Sequence, residues 1–371
     1  MSIWQRYFLP PVTFMSVVIG GGYATGRELV EFFMPAGPVG GLLGMAVTAL
    51  IWGAVFALSL ELARSTGSFE YRSFFRQLLG RGWFLFELVY VALLVLILAV
   101  LGAACGEILA DQLGAQRWIG TTLFLVCIAA LVWSGSSIIE GFFSAWGIVL
   151  YVAYALLFGA CLLSFDEEIA QSLQRADAVQ SGWLTGGLTY AGYNLVTAPA
   201  LLFCARHQQR TRESLISGAL AGPIAMLPGA LFFIAMLARY PEIAAAPIPL
   251  QVMLRALDFG WLAVFIQIAI FGTLVQTGIG VLHGFNERLL GPSAQSDKGD
   301  TSNRSRGIRL AISIGVSLIA IVLATRIGLV DLIAKGYGYL SWAVIAIYVV
   351  PLLTVGVVRL LASPAATVRA S

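Results

Sequence analysis

About 20 consecutive apolar residues suffice to carry a helix across the hydrocarbon core of a bilayer, and this chain contains ten such stretches. They run over 7–34, 39–63, 83–112, 117–134, 141–163, 181–204, 211–239, 259–290, 307–325 and 328–360. In lipid every backbone N–H and C=O needs an internal partner, which leaves helices and closed barrels as spanning structures. Runs of this length predict helices. Only 11% of the 371 residues are charged, against about 25% in soluble domains, so a soluble fold is excluded. The expected fold is an all-α integral membrane protein with ten transmembrane helices in one domain, 1–371. Residues 69–80 and 248–257 are shorter and predict amphipathic surface helices. The polar run 291–306 predicts a mobile loop. No cleavable signal peptide is expected, because the first apolar run is too long and leads into Arg-Glu.

Lys and Arg collect in cytoplasmic loops. With the N-terminus inside and loops alternating, inside loops receive 15 of the 22 Lys and Arg and outside loops 5, while Arg27 and Lys335 fall within spans. This bias predicts both termini in the cytoplasm. A net charge of +3 points to no nucleic-acid partner. The cysteines, Cys105, Cys127, Cys161 and Cys204, stand singly in apolar segments, which suits small buried residues and neither zinc nor a disulfide framework.

Ten spans divide as five plus five, and an odd-numbered half forces the second half to insert upside down. Residues 7–163 and 181–360 are then inverted repeats. The first span contains Gly20-Gly21-Gly22-Tyr23-Ala24-Thr25-Gly26-Arg27-Glu28. Three glycines disfavour a helix, and an Arg-Glu pair at bilayer depth is costly unless it faces protein, water or a ligand. Helix 1 is therefore expected to break here. The sixth span echoes it in Tyr190-Ala191-Gly192-Tyr193-Asn194, where Gly186, Gly187, Gly192, Asn194 and Pro199 disfavour an unbroken helix. Paired interruptions at matching places in two halves point to the substrate site of a secondary transporter.

Ten spans, GGGYATGRELVEFF in the first, TYAGYN in the sixth and KGYGYLSW opening the tenth together resemble the YkvI family of bacterial membrane proteins. That family is similar to the amino acid–polyamine–organocation superfamily, whose members share the LeuT-type inverted-repeat fold. The resemblance covers nearly the whole chain. It implies alternating-access transport of an amino acid or related amine or organic solute with Na⁺ or H⁺, and a place in the bacterial cytoplasmic (inner) membrane.

At the first break, a solute carboxylate can accept from N–H groups of the second half-helix, and carbonyls ending the first half can hold a cation. Gly21, Gly22, Tyr23, Ala24, Thr25, Gly26 and Glu28 are the candidate solute residues, and Gly20 and Tyr23 candidate cation residues. Thr25-Gly26-Arg27-Glu28 also fits a capping box, with Thr25 as N-cap. Two roles are open to Glu28: capping or pairing with Arg27 or another span, or meeting solute or proton. Tyr190, Tyr193 and Asn194 are candidates in the sixth span. For each tyrosine, a ring packed between helices with a locally bonded hydroxyl is the alternative.

Thr273, Gln276 and Thr277 share one face of the eighth span. In the LeuT-type fold that span faces the first break, and the resemblance implies a Na⁺ site there from the Thr273 carbonyl and the side chains of Gln276 and Thr277. Such sites use small hydroxyl residues, so Gln276 departs from the pattern. Interhelical hydrogen bonding is the alternative. Lys335 either pairs with Asp331, four residues back, or carries protons for coupling. Glu87 and Glu107 lie toward the ends of the third span, where they can reach an interface. His283 is deep enough to titrate, though a lone histidine is more often a packing residue.

Other function classes fit less well. The chain has no HExxH, no GxSxG and two histidines, which argues against a membrane enzyme. It has no Walker A motif, which excludes a nucleotide-driven pump. No filter-like repeat supports a channel. No cofactor is expected beyond the coupling ion.

Overall fold

The computed structural model describes residues 2–134, 136–174, 179–290 and 301–362, with side chains throughout except at 113, 129, 131–145, 147–148, 283–290 and 301–310. Every regular element among them is helical. After a π-helical turn at Trp4–Phe8 come α1 (Leu9–Val18), α2 (Gly21–Ala24), α3 (Arg27–Phe33), α4 (Gly37–Thr66), α5 (Tyr71–Leu79), α6 (Trp83–Leu113), α7 (Arg117–Ser134), α8 (Ser136–Ser164), α9 (Asp166–Gln174) and α10 (Trp183–Leu195). A 3₁₀-helix at Ala198–His207 leads to α11 (Thr211–Met236), α12 (Pro249–Leu257), α13 (Gly260–Leu290) and α14 (Thr301–Ile327). The last segment contains α15 (Leu329–Asp331), α16 (Gly338–Val344) and α17 (Val357–Ala362), separated by π-helical turns at Leu332–Tyr337, Ile345–Val349 and Leu352–Gly356.

Each of the ten apolar stretches falls on a helix or a bent run of helices. By length and hydropathy, five helices among the described residues can cross a membrane, or seven if each of two sharply bent pairs counts as one span. Arg117–Ile128 and Ala311–Ile327 are shorter apolar helices. The two amphipathic stretches form α5 and α12. The short helix α9 was not expected. Residues 291–300 of the anticipated loop lie outside the described residues, while 301–306 belong to α14 instead, so the helix starts earlier than the apolar run. The His283 side chain lies outside the described residues.

Large apolar side chains such as Leu50, Leu88, Leu163 and Trp261 are exposed, as a lipid-facing surface requires. Inside, α4 packs along α11 and α10, and α6 along α7 and α14. Small residues allow the α4–α11 approach: a Cβ on Gly218 would collide with the backbone of Ala57, and one on Gly222 with that of Ala49. Close backbone contact gains dispersion energy where lipid offers no hydrophobic drive. The short helix α2 packs against α6 and α13, and α3 against α4, α10 and α11.

Candidate functional site

The first segment is interrupted twice in the core. At Ile19 (φ −72°, ψ 73°) the chain makes an inverse γ-turn, with the Gly20 N–H donating to the Val18 carbonyl at 2.7 Å. One turn of helix follows, closed by the Ala24 N–H on the Gly20 carbonyl at 2.9 Å. The second interruption is at Gly26, whose φ of 79° is the left-handed region that glycine enters without strain.

The capping box does not form. Gly26, not Thr25, is the N-cap of α3, without a side-chain cap. The Thr25 hydroxyl donates backwards to the Gly22 carbonyl at 3.0 Å. The left-handed glycine starts the helix one residue late, and the Thr25 hydroxyl, while donating backwards, still accepts from the Arg27 N–H at 3.5 Å. The Thr25 carbonyl accepts from the Leu250 N–H, at the start of α12, at 3.1 Å.

Glu28 does not pair with Arg27. Arg27 forms an ion pair with Glu31 and donates to the carbonyls of Ala244 and Ala246, each at 3.0 Å. Adjacent residues point to different helix faces, and that geometry separates the two charges. Glu28 is buried, lies against the α-carbon of Gly22, and accepts a hydrogen bond from the Tyr193 hydroxyl of α10. Tyr193 in turn brings two further aromatic rings to this place, those of Tyr190 and Tyr337. Tyr193 stacks on Tyr337 (centroids 4.4 Å apart) and meets Tyr190 edge-on at 5.5 Å. The Tyr23 hydroxyl donates to the Ala225 carbonyl at 3.3 Å. Ala24 is fully buried.

Two buried tyrosine hydroxyls, those of Tyr154 and Tyr190, have no hydrogen-bond partner among the described residues. The Tyr190 ring packs between Phe32, Phe33 and Trp52. Asn194 is turned inward along its own helix, its amide donating to the Tyr190 carbonyl at 3.1 Å.

The sixth segment bends by 65° between α10 and Ala198–His207, after Asn194 and just before Pro199. The expectation that Gly186, Gly187 and Gly192 interrupt the helix does not hold, since α10 is continuous through them. They are contact points: a Cβ at Gly187 would lie 2.6 Å from the Gly44 carbonyl oxygen, and one at Gly192 would lie 2.9 Å from that of Ser341.

The eighth segment does meet the first break. A Cβ at Gly20 would sit 4.0 Å from the Thr277 hydroxyl oxygen. That hydroxyl donates to the Thr273 carbonyl at 2.9 Å and keeps its lone pairs. The Thr273 hydroxyl donates to the Ala269 carbonyl at 2.8 Å, so the Thr273 carbonyl, which already accepts from Thr277, meets a cation only through its second lone pair. Gln276 is half-buried. These oxygens are of the kind that hard cations take. Among the described residues no three His, Cys, Asp or Glu gather as metal ligands.

Lys335 does not join the site. Its side chain is 68% exposed and pairs with Asp331 at 3.1 Å, because the π-helical turn that brings Tyr337 inward leaves Lys335 on the outer face. Glu107 pairs with Arg117 at 3.0 Å, and Glu87 with the Tyr71 hydroxyl at 3.2 Å. Tyr154 and Tyr337 were not singled out from the sequence. Tyr337 carried a signal, lying within KGYGYLSW. Tyr154 carried none, as an aromatic among apolar neighbours in α8.

Polar ties hold the first segment at both ends. Beyond Arg27, the other end is fixed by Arg6, which pairs with Glu213 at 3.1 Å, while the Gln208 amide donates to the Arg6 carbonyl at 3.3 Å.

Comparison with known proteins bears on this arrangement. No family model matches the chain. The chain is 23% identical over 286 residues to the membrane protein YkvI of Bacillus subtilis (strain 168), covering 74% of this chain and 79% of that one. The resemblance drawn from the sequence motifs is thus found. Solved structures at 14% identity share the fold. MhsT in complex with L-phenylalanine matches with a TM-score of 0.58 over 97% of both chains. The manganese transporter of Eremococcus coleocola matches at 0.56, over 94% of this chain and 78% of that one. A Na⁺-coupled sialic acid symporter matches at 0.50, over 93% and 86%. The fold is that of LeuT-type transporters.

Proposed function

We propose that this chain is a secondary active transporter that moves an amino acid or related small organic solute by alternating access. In this reading ten spans form two inverted repeats, 7–163 and 181–360, with helices 1 and 6 broken. The protein lies in the bacterial cytoplasmic membrane with both termini cytoplasmic. The observation that carries the proposal is the double interruption at Ile19–Gly20 and Thr25–Gly26 in the buried core, with Glu28 set against Tyr193 of the sixth segment. Simple spanning needs neither a left-handed glycine nor a buried carboxylate.

Gly21, Gly22, Tyr23, Ala24, Thr25, Gly26, Glu28, Tyr190, Tyr193 and Asn194 form the solute region. Asn194 serves it by holding the end of α10. Coupling to Na⁺ is supported by the approach of Gly20 to Thr277 beside the Thr273 carbonyl, with Gln276 at the rim. Coupling to H⁺ would use Glu28. Arg27 and Arg6 tie the two ends of the first segment to different loops, and alternating access would release one tie at a time.

Uptake by purified protein in proteoliposomes tests the proposal. Saturable accumulation driven by a Na⁺ or H⁺ gradient is expected. Conductance independent of any gradient would make the protein a channel instead.

A further inference from the structure

The start of α6 carries positive charge that the proposed transport cycle does not use. Helix α5 before it is amphipathic. Phe74, Phe75 and Leu78 are buried, and Arg72 and Arg76, four residues apart, share another face. Arg72 is engaged by Glu87 at 3.9 Å and by the Tyr71 hydroxyl at 2.6 Å. Arg76 and Arg81, the latter in the turn Gly80–Gly82, are exposed. Neither forms an ion pair among the described residues.

The ring of Trp83, the first residue of α6, holds Arg76, with the guanidinium carbon 5.0 Å from the ring centre. A guanidinium stacked on an aromatic face keeps its N–H edge for an oxyanion. One turn on, Phe84 and Leu88 are 56% and 65% exposed, and their spacing places them on one face of α6. Helix α17 meets the same end of α5: Arg359 donates to the Gln77 carbonyl, and its neighbours Val358 and Leu361 are exposed. Two apolar helix ends thus border the C-terminal end of α5, and the basic residues lie at that border. Tryptophan and arginine beside an apolar face mark the depth of lipid headgroups. The neighbouring acids leave this charge standing, since Glu87 is engaged by Arg72 and Glu70 precedes the opposite end of α5.

A partner for this surface needs an anion at one end, for the guanidinium edges, and an apolar body at the other, to cover Phe84 and Leu88. Phosphate suits arginine through paired N–H···O bonds. A soluble phosphate lacks the apolar body. A zwitterionic lipid brings its own cation, which offsets the attraction. An anionic phospholipid has both parts. Resting on the proposed orientation, in which this end of α6 is cytoplasmic, we infer that Arg76, Arg81 and Trp83 form a headgroup site for an anionic glycerophospholipid of the inner leaflet, with its acyl chains along Phe84 and Leu88.

Native mass spectrometry of the purified full chain in detergent tests this. The probes are phosphatidylglycerol and phosphatidylcholine with identical acyl chains, and glycerol 3-phosphate as a headgroup without chains. A basic residue at the membrane surface contributes about fivefold in affinity for anionic lipid, so phosphatidylglycerol is expected to bind at least about 10-fold more tightly than phosphatidylcholine. Glycerol 3-phosphate should bind more weakly than phosphatidylglycerol by at least the same factor. The double variant Arg76→Gln/Arg81→Gln should bring the lipid preference below about twofold. Arg326→Gln, at an exposed arginine in the last turn of α14, should leave it intact. Should the double variant not fold, Arg81→Gln alone reads the same effect as a fall of at least about threefold. Equal binding of the two lipids would overturn the inference. So would a preference that survives loss of the arginines, or one that falls as far in Arg326→Gln. Glycerol 3-phosphate binding as tightly as phosphatidylglycerol would make this a soluble-anion site and overturn the lipid assignment. Arg81→Cys, in a background with the four native cysteines replaced by Ser, tests the orientation separately. Labelling by a membrane-impermeant thiol reagent only in permeabilised cells is expected. Labelling in intact cells would overturn the orientation and the inner-leaflet assignment and leave the headgroup site standing.

Discussion

Residues 9–33 and 183–207 both bend within the core, and glycine serves opposite purposes in the two. In the first segment Gly26 supplies a left-handed conformation, and Gly22 leaves room for the end of a flexible side chain, Glu28. In the sixth, Gly187 and Gly192 sit inside a continuous helix and let it touch the backbones of Gly44 and Ser341. The bend there comes later, at Val196–Thr197, ahead of a proline that cannot donate to the preceding turn. The residue type is the same, but one segment uses it to open the chain around a buried carboxylate and the other to close the gap between helices.

This contrast predicts a graded set of outcomes. The largest is Gly187→Val, whose Cβ would press on backbone that cannot swing aside. Overpacking of this kind costs about 1–3 kcal/mol and more when backbone must move, so little folded protein should survive detergent extraction, as read by size-exclusion chromatography. Next, Gly22→Val should insert and fold, since only the Glu28 side chain has to move, yet lose uptake in proteoliposomes by at least about 100-fold, because the displaced carboxylate no longer meets Tyr193. If Gly22→Val instead fails to fold while Gly187→Val is tolerated, the two roles are reversed.

Much of the architecture was legible from apolar run length, since spanning segments must be long and uninterrupted by charge. The Glu28–Tyr193 contact was half legible. Both residues stood out as polar groups at bilayer depth, but nothing in their spacing of 165 residues pairs them. The capping box misled because the motif matches residue types, and a glycine at the second position can take over the N-cap with a conformation that other residues avoid. The sixth-segment glycines misled for a related reason: a helix-weakening residue and a helix-contact residue look identical in one sequence. Lys335 attracted attention as the one lysine in a span, and only the π-helical turn decides that it faces outward.

Smaller effects probe the second half of the comparison. Thr277→Ala removes a hydroxyl from the face that meets Gly20. If Na⁺ is the coupling ion, the Na⁺ concentration for half-maximal uptake should rise about 10-fold, the loss of roughly one charge-assisted contact. Uptake that needs no Na⁺ in either protein would move coupling to a proton. The smallest effect is expected for Lys335→Gln, an exposed group in a local ion pair worth about 0.2–1 kcal/mol. Uptake should change less than about twofold, and a loss of proton coupling would return this lysine to the mechanism.

The central claim is that the interrupted turn between α1 and α3 is reached alternately from the two sides of the membrane. Ala24 lies in that turn and is fully buried here. The four native cysteines, Cys105, Cys127, Cys161 and Cys204, are free thiols, so Ala24→Cys in a background with all four replaced by Ser isolates one reporter. Its labelling by a membrane-impermeant thiol reagent should be measured from each face of oriented vesicles as the ion gradient is varied. Labelling from one face at a time, switching with ion conditions, is the predicted result. Labelling from neither face under any condition, or from both faces at once, would contradict it.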